Sequence, residues 1–138
     1  MKVHVVGAEE QHIEGYERVE ISQNQGSLKH LSDNECTFVL ANDTLDQLDY
    51  NSAKGFVLEA RQKLRLGGTL VVGGTDIRLL ARNIINDSIG VEDANQIMFN
   101  KKSCLDINTV TDLVSSVGLQ IISTRISGVH YEVEARRN

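Results

Sequence analysis

The sequence predicts an α/β domain: a mostly parallel sheet that closes with an antiparallel C-terminal hairpin and carries its helices mainly on one face. Three observations carry this prediction. Two apolar runs, Cys36-Thr37-Phe38-Val39-Leu40-Ala41 and Thr69-Leu70-Val71-Val72, do not alternate with polar residues, which is the pattern of strands covered on both faces. Between them Ala53, Phe56, Val57, Ala60 and Leu64 repeat at helical spacing, and a strand-helix-strand unit implies a parallel crossover. The chain then ends on two strands joined at Gly128, a connection short enough only for antiparallel neighbours.

Taken in order, residues 2–6 read as the first strand and residues 17–22 as the second, with Val19 and Ile21 facing one way and Arg18 and Glu20 the other. Residues 23–34 are polar and read as a loop holding two large apolar residues, Leu28 and Leu31. After the strand at 36–41, the acidic turn Asn42-Asp43-Thr44-Leu45-Asp46 leads into the helix around Ala53; Asp43 and Asp46 are placed to cap and solvate its start. Leu66-Gly67-Gly68 reads as the helix stop, and residues 69–72 as the next strand. Asp76 is the expected N-cap of a helix with Ile77, Leu80, Ala81, Ile84 and Ile85 on one face. Residues 86–103 read as irregular. Val110, Leu113, Val114 and Val117 then mark a third helix stopped by Gly118, followed by strands at 119–127 and from Val129 onward.

One domain of 138 residues is expected, long enough to bury a core. A net charge of −5 with scattered basic residues argues against nucleic acid and acidic membranes as partners, since phosphate affinity needs clustered Lys and Arg. No apolar run approaches a membrane span, and a strand begins almost at the first residue. With two cysteines in unrelated positions, a reduced cytoplasmic setting is expected. His4, His12, His30 and His130 form no i, i+4 pair and neither cysteine has a Cys-x-x-Cys partner, so the spacing points to no metal site.

Val5-Val6-Gly7-Ala8-Glu9 followed by Ile13-Glu14-Gly15-Tyr16-Glu17-Arg18-Val19-Glu20-Ile21 resembles the opening of the small predicted methyltransferases associated with glycan biosynthesis, where a Val-Gly-x-Gly loop precedes a Pro-Gly-Trp/Tyr-x-x-Val-Asp-Ile strand. Ala41-Asn42-Asp43-Thr44-Leu45-Asp46-Gln47-Leu48 is similar to that family's Ser-His-x-Leu-Glu-His-Leu, and Leu64-Arg65-Leu66-Gly67-Gly68-Thr69-Leu70 to its Leu-Lys-Pro-Gly-Gly-x-Leu. The resemblance covers roughly residues 3–86. It implies a Rossmann-like, class I methyltransferase fold binding S-adenosylmethionine, with a small-molecule or glycan acceptor. On this reading Gly7 and Ala8 would approach the methionine part of the cofactor, and Glu20 with Ile21 would meet the ribose at the end of the second strand. Leu28, with Leu31, would flank the adenine, and Asn42 and Asp43 would face the sulfonium and acceptor, with Asp43 as the catalytic candidate. The sequence departs from the family at Glu9 and Glu10, two carboxylates where the cofactor's own carboxylate would lie, and lacks every motif proline.

Only nine residues, 8–16, join the first two strands, too few for a helical crossover. All three recognisable helices are therefore expected on one side, leaving an apolar sheet face that a homo-oligomer or a partner protein would cover. Two functional readings follow: a methyltransferase, and a non-catalytic descendant serving as an assembly subunit.

Overall fold

The structure, a computed structural model, describes residues 1–6, 13–20 and 28–138. Among these, six strands form one sheet: β1 (Lys2–Val6), β2 (Glu17–Glu20), β3 (Cys36–Ala41), β4 (Leu64–Thr75), β5 (Gln120–Ser127) and β6 (His130–Arg136), in the order β2-β1-β3-β4-β6-β5. The first four run parallel, and β6 is antiparallel to both β4 and β5. This is the expected fold class, a Rossmann-like mostly parallel sheet with an antiparallel C-terminal hairpin. The helices are α1 (Tyr50–Lys63), α2 (Ile77–Ile85), α3 (Val91–Met98) and α4 (Ile107–Ser116). None of the described helices is long and apolar enough to cross a membrane.

The core lies between the sheet and the pair α1 and α4. Phe56 and Val57 from α1 and Val110 and Val114 from α4 are buried against Val3, Val39, Leu70 and Val133 of the strands. Each such side chain contributes about 1.5–3 kcal/mol relative to exposure, which is why the helical stripe at Ala53 is the strongest feature of the sequence. Expectation and structure differ for α2. Its only buried residue, Leu80, stands outside this core, and the helix is held at the end of β4 by Ile77 N–H donating to Leu105 O at 2.8 Å.

On the opposite face, strand register lines up Arg18, His4, Leu40, Val71 and Glu134 across the sheet. His4 and Val71 are buried while Phe38 and Leu40 are half-buried. Tyr16 packs edge-on here, its ring centroid 6.1 Å from Phe38 and 6.4 Å from His4. The apolar strip is thus central and flanked by charge, rather than apolar throughout.

Two further elements depart from the sequence reading. Helix α1 stops at Lys63 without a glycine cap, because its last carbonyls find other donors. Arg137 Nη1 donates to Arg61 O at 3.2 Å and Leu64 O at 2.6 Å, and Asn34 N–H donates to Gln62 O at 3.1 Å. Strand β4 can then begin at Leu64, and Gly67 and Gly68 pair with Arg137 inside the strand instead of turning out of it. Within residues 86–103, expected to be irregular, Val91–Met98 is helical, with Glu92 and Asp93 at its positive N-terminus and Ala94 buried.

Candidate functional site

The carboxyl ends of β3 and β4 meet where β6 begins, and the chain leaving β3 builds a polar cavity there. Thr44 anchors that chain: its hydroxyl donates to Val5 O at 3.3 Å, and its carbonyl accepts from Gln47 N–H at 3.1 Å. The resulting 3-10 turn, Leu45–Gln47, drives Leu45 into the core and turns Asp46 beneath β4. Asp46 is 5% exposed. Its two carboxylate oxygens accept from Thr75 N–H at 3.1 and 2.9 Å, and Lys101 Nζ lies 3.1 Å from Oδ2. A carboxylate this deep is tolerable only with such partners. Gly74 makes room for it, since any Cβ there would overlap the Asp46 carboxylate.

The segment after α3 closes the site from the other side. Lys102 N–H donates to Asp46 O at 2.8 Å, and Ser103 Oγ donates to Leu45 O at 3.1 Å and Leu48 O at 2.7 Å. Asp43, exposed at the rim, places Oδ1 2.6 Å from His130 Nε2. His130 is aligned with Thr75 by the β4–β6 ladder, and its ring lies over Gly73, where a Cβ would be 2.5 Å from two backbone oxygens. Asp43, Asp46, Gln47, Thr75, Asn100 and Lys101 enclose about 240 Å³.

The sequence-derived candidates divide into four groups. Asn42 and Asp43 lie together at the end of β3; Asn42 Oδ1 is buried with no hydrogen-bond partner among the described residues. Glu20 sits at the end of β2 in register with Val6, its carboxylate 3.4 Å from Arg18 Nη1. Leu28 is fully buried in the main core with Leu31 close by in burial, and its N–H donates to Glu59 Oε1 at 2.6 Å. Gly7, Ala8 and Ile21 lie outside the described residues, as do Glu9 and Glu10.

Capping of α1 was expected from Asp43 and Asp46, and this is corrected by the structure. Asp49 is the cap, accepting from Ser52 N–H at 2.8 Å, which leaves Asp46 for Thr75 and Lys101 and Asp43 for His130. Asp76 does cap α2, through Arg78 N–H and Leu79 N–H, and also receives Ile107 N–H at 3.0 Å. His130, Lys101 and Thr75 were missed by sequence reasoning. The available signal was indirect: a hairpin at Gly128 whose second strand returns beside the strand ending at Thr75.

Two nucleophile types lie within reach of the Asp46 charge, outside the cavity's lining, and both are held protonated. Burial, then the Asp46 charge, pushes the Cys104 thiol up to about 11, and Sγ donates to Thr75 O at 3.2 Å. The same two causes raise the Tyr131 phenol above its ordinary value. A protonated thiol and phenol are poor nucleophiles, so the arrangement disfavours covalent catalysis by sulfur or phenol and leaves the hydrogen-bonded Asp43–His130 pair as the polar group presented at the rim. Among the described residues no group of three or more His, Cys, Asp or Glu is arranged to hold a metal ion.

No family profile and no curated protein matches the sequence. Solved structures do resemble the fold. An O-methyltransferase family protein from Burkholderia thailandensis superposes with a TM-score of 0.66 at 17% identity over 89% of this chain and 36% of its own. A SAM-dependent methyltransferase from Thermotoga maritima gives 0.60 at 16% identity over 89% of this chain and 63% of its own. The 1,6-didemethyltoxoflavin-N1-methyltransferase of Burkholderia thailandensis, with bound 1,6-didemethyltoxoflavin and S-adenosylhomocysteine, gives 0.53 at 12% identity over 78% of this chain and 46% of its own. In each case the chain spans less than two thirds of the neighbour's length. The domain has the fold of S-adenosylmethionine-dependent methyltransferases.

Proposed function

We propose that this domain binds S-adenosylmethionine along the carboxyl ends of β1, β2 and β3 and transfers its methyl group to a small-molecule or glycan acceptor held beside Asp43 and His130. The observation that carries the reading is the Asp43–His130 pair, 2.6 Å apart, at the carboxyl end of a central parallel strand, where ligands of open α/β sheets bind. The residues fit the cofactor's chemistry. Asn42 Oδ1 is a buried acceptor with no protein donor among the described residues, and Glu20 offers a carboxylate to ribose hydroxyls at the end of β2. When bound, the cofactor supplies an electrophilic methyl on a sulfonium. What this chain supplies is alignment and a proton acceptor. With Nε2–H donated to Asp43, the neutral His130 imidazole keeps its lone pair on Nδ1 for the acceptor's proton, and Asp43 stabilises the imidazolium that results. Glu9 and Glu10 favour a second reading, a non-catalytic assembly subunit that pairs through the apolar strip of the sheet.

Calorimetry with S-adenosylmethionine and S-adenosylhomocysteine separates the two. Saturable heat together with a rise in Tm supports the enzyme reading; absence of both at millimolar ligand removes it.

A further inference from the structure

A second cavity adjoins the first. Ile77 and Leu80 of α2, Met98 and Phe99 at the end of α3, and the segment from Lys101 to Cys104 enclose about 260 Å³. Its character is opposite to that of its neighbour: the helical walls carry no charge, and Phe99 is 78% exposed, Ile77 47% and Met98 45%. Large apolar side chains gathered in this way at a surface mark a binding site. Lys101 lines both cavities. Its ammonium is held by Asp46 on the polar side, so the methylene stem forms the partition and presents carbon to the apolar side. Together the two chambers fall within the roughly 300–1,000 Å³ that encloses a drug-sized ligand, and they combine an apolar wall with a few convergent polar groups.

We propose that the two chambers form one site for an amphipathic small molecule: a hydroxyl- or amine-bearing head beside Asp43 and Asp46, and an aryl or alkyl tail between Leu80, Met98 and Phe99. Because the Lys101 side chain is a wall common to both, the two chambers lie side by side, within reach of one molecule that crosses over it. A bare glycan would leave the apolar chamber unfilled. Calling this molecule the methyl acceptor rests on the methyl-transfer reading above; the two-chamber site does not.

The chain has two methionines, Met1 and Met98, so ε-methyl ¹³C labelling gives one signal at the apolar chamber and one at the amino end of β1. Titration of the full chain with 4-phenylbutan-1-ol, without cofactor, is expected to shift the Met98 methyl saturably while Met1 stays fixed. The amides of Thr75 and Asn100 should follow the same curve, and 1,4-butanediol should move none of them. Met98→Gln and Phe99→Ser, both at exposed positions, should weaken the probe by about tenfold or more, the scale of losing apolar contacts in a pocket. Equal shifts at Met1 and Met98, unchanged affinity in both variants, or a Met98 shift with no response at Thr75 and Asn100 would overturn the proposal. So would a Met98 signal that moves on protein dilution and not with the probe, which would place a second copy of the chain there. Cofactor calorimetry is a separate measurement, so failure of the methyl-transfer reading leaves this outcome distinguishable.

Discussion

Replacing Asp46 by alanine should be among the most damaging single changes in the described part of the chain. The carboxylate is 5% exposed, accepts Thr75 N–H on both oxygens and faces Lys101 Nζ at 3.1 Å. Removing one member of a buried pair costs about 3–5 kcal/mol because the other is left uncompensated. The Lys101 side chain retains 17% exposure and can reach water, which places the expected loss near the lower end, about 3 kcal/mol. For a domain of this size that is a fall in Tm of about 10 °C. Asp46→Asn keeps the shape and one acceptor for Thr75 N–H, and should lose only about 1.5 kcal/mol, the scale of a hydrogen bond to a charged group. Adding Lys101→Met to Asp46→Ala removes the stranded ammonium and should recover about 1 kcal/mol or more as a coupling energy. Urea unfolding of these variants and the wild type, with Lys101→Met alone as the fifth protein that closes the cycle, measures all of this. A loss below about 1 kcal/mol for Asp46→Ala, or equal losses for the alanine and asparagine variants, would show that the buried Asp46 charge does not hold this site together.

Three further outcomes follow from the same geometry. The Cys104 thiol, raised to about 11 when folded against 9.0 as the ordinary value, stabilises the fold fully below about 9, and this contribution is lost as pH rises through about 11. The wild type should therefore lose more stability between pH 8 and 11 than Cys104→Ala; the other raised groups, Cys36 and Tyr131, are present in both proteins, and parallel pH curves in urea would contradict the assignment. Asp43→Asn and His130→Ala break a surface pair, so each should change stability by no more than about 1 kcal/mol while lowering any methyl transfer by about 10²–10⁴-fold. A turnover assay paired with unfolding curves checks both, and full activity in either variant removes the base from the mechanism. If the strip of Phe38 and Leu40 is covered by a second copy, sedimentation velocity should give a dimer that Leu40→Glu converts to monomer; a wild-type monomer at micromolar concentration would exclude that surface as a self-association site.

The framework was legible because burial imposes periodicity. Residues 36–41 are apolar on both faces since β3 is central, and the Ala53, Phe56, Val57 and Ala60 stripe is the contact line of α1 with the sheet. Helix α3 was hidden by brevity: Val91, Ala94 and Met98 have helical spacing, but only Ala94 is buried, so the stripe is one residue deep. The end of α1 could not be read at all, because its cap is Arg137, some seventy residues downstream and brought near only by the β4–β6 ladder. The candidate site was half legible for the same reason. Asn42 and Asp43 follow from being at the end of a central strand, which a local pattern reveals. His130 and Lys101 come from the last strand and from the segment after α3, and their approach depends on strand order. Asp46 misled because an acid before a helix ordinarily caps it, and here Asp49 was available for that role.

If the carboxyl ends of β1, β2 and β3 form the cofactor site, an amide NMR titration with S-adenosylhomocysteine reads it out strand by strand. The expected result is saturable shifts at Val6, Glu20 and Asn42, with Lys2, Arg65 and Arg136 at the other ends of their strands unmoved. No shifts at millimolar ligand, or shifts confined to that second set, would contradict it.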